Sequence, residues 1–146
     1  MNLYKPFACT RARVLYFVRV SEPIELKELY VTIDRIIYSP QLQAPTEKPY
    51  PFIYFITIHN QSDRKVTIKG RKWVVTDETG DKLIVEGDGV VGQTPEIASG
   101  ESFSYNSYHT IACDSIAEGA YIGLDEFGQR IITRIPKFKL EVPHKS

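Results

Sequence analysis

The chain is short of cysteine, has no charge of either sign to spare, and lacks any long apolar run. Its 146 residues include two cysteines, Cys9 and Cys113, without the spacing of a redox pair or a metal-ligand set. Two reduced thiols in a cytoplasmic protein are the expectation. Lys plus Arg number 18 and Asp plus Glu number 18, which argues against the clustered cationic surface that nucleic-acid affinity requires. No stretch reaches the roughly 20 apolar residues of a membrane span. In the opening MNLYKPFACTRARVLYFVRV, Arg and Lys break every apolar run, so no signal-peptide core is expected. The histidines are His59, His109 and His144, and no H-x-x-x-H or C-x-x-C occurs. Neither a metal nor a cofactor is therefore expected. No long segment holds helical periodicity.

What remains is material for strands. Hydrophobic residues make up 42% of the chain, with nine Tyr and seven Phe. A chain of this length buries roughly 68–70% of its unfolded surface and needs no disulfide or metal to fold. Tyr30–Tyr38 and Phe52–Asn60 read as strands, the second with Phe52, Tyr54, Ile56 and Ile58 on one face and Ile53 and Phe55 partly covered on the other. Between them Ser39 to Pro51 carries four prolines, which cannot donate to a ladder, and reads as a loop. Val66 and Ile68 begin another strand, with a bulge expected at Gly70. Phe103 and Tyr105 lie on one strand face, His109 to Ala117 reads as a looser connection, and Pro136 should interrupt the last ladder, with Phe138 and Leu140 packing at the edge. Upstream, Val14–Val18, flanked by Arg11, Arg13 and Arg19, reads as a strand or short helix packed on the domain.

The densest signal is Arg71–Tyr105. Trp73-Val74-Val75 and Leu83-Ile84-Val85 favour a pleated surface, and Asp77-Glu78-Thr79-Gly80-Asp81 between them supplies a type I turn closed by a left-handed glycine. Trp73, Val75, Leu83 and Val85 then share one face, and trimming Trp73 to Ala should cost roughly 3–5 kcal/mol. Ala120–Leu124 and Arg130–Thr133 form a second hairpin around Asp125-Glu126-Phe127-Gly128, with the same turn chemistry. Gly87-Asp88-Gly89-Val90-Val91-Gly92 matches G-x-G-x-x-G, but Pro95 follows where a dinucleotide site needs a helix. The glycines read instead as a crossover loop. Short strands at this spacing indicate an antiparallel β-sandwich.

The stretch resembles the ApaG domain. The resemblance is carried by Arg71-x-Trp73, Gly87-x-Gly89-Val90-Val91-Gly92-x-x-Pro95, Gly100-Glu101-Ser102-Phe103-x-Tyr105-x-Ser107, Gly119-x-Tyr121, Asp125-Glu126-x-Gly128 and Ile135-Pro136-x-Phe138-x-Leu140. It departs from the family's usual pattern at Ser99 (Pro), Ala117 (Met) and Tyr108 (Gly). The resemblance implies an all-β, immunoglobulin- or fibronectin III-like antiparallel sandwich. The organisation expected is an N-terminal extension over 1–26, the domain over 27–142 and a tail over 143–146. The resemblance also implies a link to cobalt tolerance in bacteria, read as indirect. Related domains occur in F-box proteins, where they recruit substrates, and in a polymerase-delta-interacting protein.

Three functional classes follow. The favoured one is a non-enzymatic binding module for another protein, with a homodimer as one form, and Tyr50, Phe52 and Phe127 as interface aromatics; an exposed apolar patch or free edge strand would mark it. The second is a sensor holding a phosphate or pyrophosphate anion weakly at Arg71, Gly87, Gly89 and Gly92, marked by loop amides converging with Arg71. Glu86 and Asp88 oppose it. The third is an enzyme, for which only His109 near Ser107 and Cys113 offers a base beside a nucleophile; a titratable group with a strongly shifted pKa in a cleft would mark it. No catalytic residue and no nucleic-acid or membrane partner is expected.

Overall fold

In a computed structural model that describes residues 22–143, eight strands form two facing antiparallel sheets, with no helix among the described residues. The strands are β1 (Leu29–Tyr38), β2 (Tyr50–Asn60), β3 (Val66–Asp77), β4 (Lys82–Asp88), β5 (Glu96–Ile97), β6 (Ser102–Ile111), β7 (Ser115–Asp125) and β8 (Arg130–Leu140). One sheet has the order β1-β2-β6; the other has β4-β3-β7-β8, with β5 pairing the start of β3. The expected sandwich is what forms. Val14–Val18 and its flanking arginines lie outside the described residues, as do Cys9 and His144.

Alternation builds the core. Phe52, Tyr54, Ile56 and Ile58 of β2 face Val66, Ile68, Trp73 and Val75 of β3 and Tyr121 of β7, all buried. Ile53 and Phe55 on the other face of β2 are half-buried. The register of β3 against β7 shifts between Ile68 and Gly70, the bulge expected there. The two predicted hairpin turns are built alike. Asp77 N–H donates to Asp81 and Asp125 N–H to Gln129, both at 2.9 Å, while each Asp carboxylate accepts amides from its own turn. Gly80 and Gly128 take φ of 94° and 85°, the left-handed backbone that closes such a loop. Asp125 is also buried against Arg64, whose Nη1 lies 3.1 Å away.

Several boundaries differ from expectation. β2 begins at Tyr50, so Pro51 lies inside a strand; it stands where β2 begins, and its carbonyl accepts from Ser39 at 2.9 Å. The looser connection after β6 shrinks to residues 112–114, because His109 and Ile111 continue the inward alternation of β6 and Ser115 already begins β7. Pro136 does not stop β8. It falls where the register against β7 shifts, between Ala117 and Gly119, on an edge strand that tolerates a missing donor. Phe138 and Leu140 beyond it are buried in the core.

Candidate functional site

The two sides of the sandwich end differently. Along one, β1 packs beside β8: Thr133 Oγ1 donates to the Leu29 carbonyl at 3.2 Å, and Ile24 bridges the outer edge of β8, donating to Arg130 at 3.0 Å and accepting from Ile132 at 2.9 Å. Along the other, β4 and β6 are the outermost strands of their sheets among the described residues. Every residue of β4 except half-buried Gly87 is exposed. Leu83 and Val85 stand opposite Val75 and Trp73 on the inward face, as the hairpin pattern predicts. Yet they are 43% and 37% exposed, because no described strand of the other sheet lies over them.

Between the two edges runs a groove of about 410 Å³. Its floor is aromatic: His109 stacks on Tyr54 with ring centres 4.8 Å apart and meets Trp73 edge-on at 4.6 Å. Leu83 and Val85 form one wall, and Ser107 and Tyr108 the other. The Tyr108 hydroxyl donates to the Gln43 carbonyl at 3.2 Å, tying the proline-rich loop to the wall. Two polar atoms at the floor, Trp73 Nε1 and His109 Nε2, are buried without a hydrogen-bond partner among the described residues. A buried polar group left so costs about 1–3 kcal/mol. Burial alone pulls the His109 pKa down to about 4, so its imidazole is neutral at pH 7. Burial raises the Tyr54 hydroxyl against the opposing effects of Ser107 and the Arg71 charge.

Arg71 lies at the mouth of this groove and at the glycine loop together. Its Nη1 donates to the carbonyls of Asp88 at 2.9 Å and Gly89 at 3.0 Å. Gly87 is glycine for want of room, since an added Cβ would stand 2.9 Å from that guanidinium nitrogen. The structure thus brings Arg71, Gly87 and Gly89 together, but around carbonyls. The Gly89 amide donates to Lys69, and Val90 and Gln93 bond each other reciprocally. Gly92 belongs to the two-residue turn between them, with Val91 and Gly92 at φ of 44° and 78°.

The three interface aromatics are not gathered. Phe52 is buried at 5% exposure and is corrected to a core residue, because the inward face of β2 claims it. Tyr50, half-buried, opens β2 and packs toward Tyr38. Phe127, 81% exposed, tips the β7–β8 turn. That turn lies near Arg64, beyond the other end of β2, so Tyr50 and Phe127 stand at opposite ends of the sandwich. Ser107 and His109 do share the inward face of β6, while Cys113, a free thiol, sits in the turn beyond. Among the described residues no carboxylate bonds His109. The sequence gives no sign of a second cluster on the outer face of the smaller sheet. There Asp34, at a bulge in β1, accepts from Thr57 at 2.5 Å and Thr32 at 2.8 Å, and Thr32 in turn contacts His59 Nε2 at 2.9 Å. The Thr57 bond is the main cause holding Asp34 below the ordinary carboxylate range. Among the described residues no three His, Cys, Asp or Glu side chains are grouped to hold a metal, and no helix is long and apolar enough to cross a membrane.

Comparison with known proteins places this geometry. Residues 40–122 match the ApaG domain model. The chain is 38% identical over 108 residues to the ApaG protein of Vibrio campbellii, covering 73% of this chain and 86% of that one. It is 36% identical over 126 residues to the ApaG protein of Shewanella frigidimarina, covering 86% and 95%. The crystal structure of the Bordetella pertussis protein called ApaA superposes with a TM-score of 0.72 at 30% identity, covering 84% of this chain and 100% of the other. The matched region spans β2, the hairpin, the glycine loop and most of β7, and the chain belongs to the ApaG domain family.

Proposed function

We propose that the chain is a non-enzymatic, cytoplasmic protein-binding module whose docking surface is the open flank between β4 and β6. The observation that carries this reading is the groove itself: exposed Leu83 and Val85 beside an aromatic floor that holds an unpartnered indole N–H. A partner segment entering between the edges covers apolar wall and gives Trp73 Nε1 an acceptor. Such centrally placed, desolvated contacts dominate interface energetics. Tyr108 stands where the family commonly has glycine, so this wall shapes specificity. Tyr50 and Phe127 take a peripheral part at most, being at opposite ends.

The competing classes gain less. His109 has the shifted pKa in a cleft that marks an enzyme. However, the shift comes from burial, leaves a weak neutral base at pH 7, and comes with no orienting acid among the described residues. The anion sensor needs loop amides facing Arg71, and that guanidinium faces carbonyls. Any link to cobalt tolerance is accordingly proposed as indirect.

The test is affinity capture from the source cell with the full chain as bait. Leu83→Glu and Tyr108→Gly should each lose captured proteins that Ile122→Glu retains, Ile122 being 40% exposed on the outer face of the larger sheet, away from the groove. Capture unaffected by Leu83→Glu sinks the reading. Trp73, the sole tryptophan, reports groove occupancy by its fluorescence.

A further inference from the structure

The proposed docking uses the inward side chains of β4. Its backbone edge is a separate surface with its own complementarity. Pairing along β3–β4 runs Thr76↔Lys82, Val74↔Ile84 and Lys72↔Glu86. The direct N–H to carbonyl bonds of this ladder fall at Asp77–Asp81 at one end and Lys69–Gly89 at the other. Antiparallel ladders bond every second pair. Leu83, Val85 and Gly87 therefore spend their backbone groups on β3, and the N–H and C=O of Lys82, Ile84 and Glu86 point to the free edge. Natural proteins blunt such an edge with charge, bulges or cover. Here Leu83, Ile84 and Val85 are 43%, 55% and 37% exposed in succession, with one cation before them and one anion after.

That arrangement is self-complementary. We propose that a second copy of this chain pairs with β4 in antiparallel register about a two-fold axis through Ile84, joining the two larger sheets into one. Ile84 then faces its own copy and the two exchange both backbone bonds. Each Lys82 faces the partner's Glu86, completing two further bonded pairs. Leu83 and Val85 of the two copies alternate on the inward face and extend the apolar wall. Opposite charges directly across a ladder are stabilising and like charges are not. Centring the axis on Lys82 or on Glu86 instead sets like charges face to face. The contact is isologous, as a two-fold interface must be. The area is that of a single strand pair, well under the roughly 1,200–2,000 Å² of a standard interface, so the dimer is a weak one.

This inference goes beyond the protein-binding reading and stands apart from it, because it uses backbone groups where that reading uses the groove. Sedimentation equilibrium of the full chain is run from about 10 µM to about 1 mM, the range in which so small an interface associates. The expected result is a monomer–dimer equilibrium. Lys82→Glu should weaken it about tenfold or more, and adding Glu86→Lys should bring it back to within about threefold. Glu86 already faces Lys72 at 3.9 Å within the chain, so Lys82→Glu is the cleaner single change. Ile84→Pro removes an outward N–H that β3 does not use and should also weaken the dimer, with Trp73 fluorescence confirming that each variant is folded. A wild-type chain that stays monomeric throughout, or a double charge reversal no better than the single one, overturns the inference. Neither result touches the capture experiment above, and loss of capture specificity there leaves this one standing.

Discussion

On one flank of the sandwich β1 and β8 draw the sheets together, while on the other β4 and β6 leave them apart. Both flanks are made of strands with the same apolar-in alternation. The closed flank buries its inward residues: Ile131 is 1% exposed, with Ile24 bridged to the backbone beside it, and Leu26 and Val142 pack against the core. The open flank presents the same type of residue, Leu83 and Val85, with nothing above it among the described residues. The closed side supplies stability that the open side does not need to supply, which leaves β4 and β6 available for the proposed recognition. Residues whose removal leaves stability unchanged are the ones to examine for binding.

The largest effect expected is therefore an asymmetry. Ile131→Ala should cost about 2–5 kcal/mol, as buried aliphatic truncations do. Ile84→Ala, at 55% exposure, should stay within about 0.5 kcal/mol. Urea unfolding of the two variants checks this, and equal losses would erase the distinction between the flanks.

The next test uses acid on the groove. His109 is held near 4 by burial against an ordinary value of 6.5, so between those values the unfolded chain binds the extra proton. Stability from the neutral imidazole is complete above the unfolded pKa and is lost as pH falls toward 4, with a limiting slope of about 1.4 kcal/mol per pH unit. His109→Gln should flatten that part of the stability–pH curve. Asp125 falls in a lower window. Its burial works to raise the carboxyl, but amides of Gln129 and Phe127 and the Arg64 guanidinium outweigh that and hold it below 3.8. Its contribution is complete above the unfolded value and disappears only as pH drops through the folded one. Unfolding followed from pH 7 to pH 2 should show the two phases in that order, and a slope near pH 5 that survives His109→Gln would refute the assignment.

A smaller effect bears on the clamp at the groove mouth. Gly87→Ala pushes the Arg71 guanidinium off the Asp88 and Gly89 carbonyls and should cost about 1 kcal/mol. In an Arg71→Ala background the same change should cost almost nothing, since the clashing group is gone. A cost equal in both backgrounds would mean that Gly87 serves the backbone and not the arginine.

Most of the fold is legible in the sequence because its signals are local. The Asp-x-x-Gly turns at Asp77 and Asp125, the bulge at Gly70 and the inward face of β2 each follow from neighbours in the chain. The open flank is not local. Leu83 and Val85 alternate just as Trp73 and Val75 do, and only the pairing order of distant strands decides which pair is covered. His109 shows the same limit: the unpatterned residues after it suggest a loop, whereas its place in β6 depends on pairing with Phe52. Phe52 errs the other way, an aromatic taken for surface that alternation with Tyr54 and Ile56 already assigns to the core. Ser99, a departure from the expected pattern, donates to the Ser62 carbonyl at 2.5 Å and ties its turn to the β2–β3 connection.

The smallest predicted change has the opposite sign, and it concerns the glycine loop beside β4. Val91 takes φ of 44°, a region in which a β-branched residue is strained. It is 47% exposed, so no buried contact holds it there. The reciprocal Val90–Gln93 bonds close a two-residue turn with both central residues at positive φ, the geometry for which Asn-Gly is the preferred pair. Val91→Asn should therefore raise stability by about 0.5–1 kcal/mol, read as a higher urea midpoint at unchanged slope. A lower midpoint would show that Val91 makes a contact outweighing its backbone strain. If the midpoint rises and capture of partners falls, the exposed valine belongs to the recognition surface, because strain of this kind persists where function requires it. If the midpoint rises and capture is unchanged, Val91 takes no part in the proposed recognition.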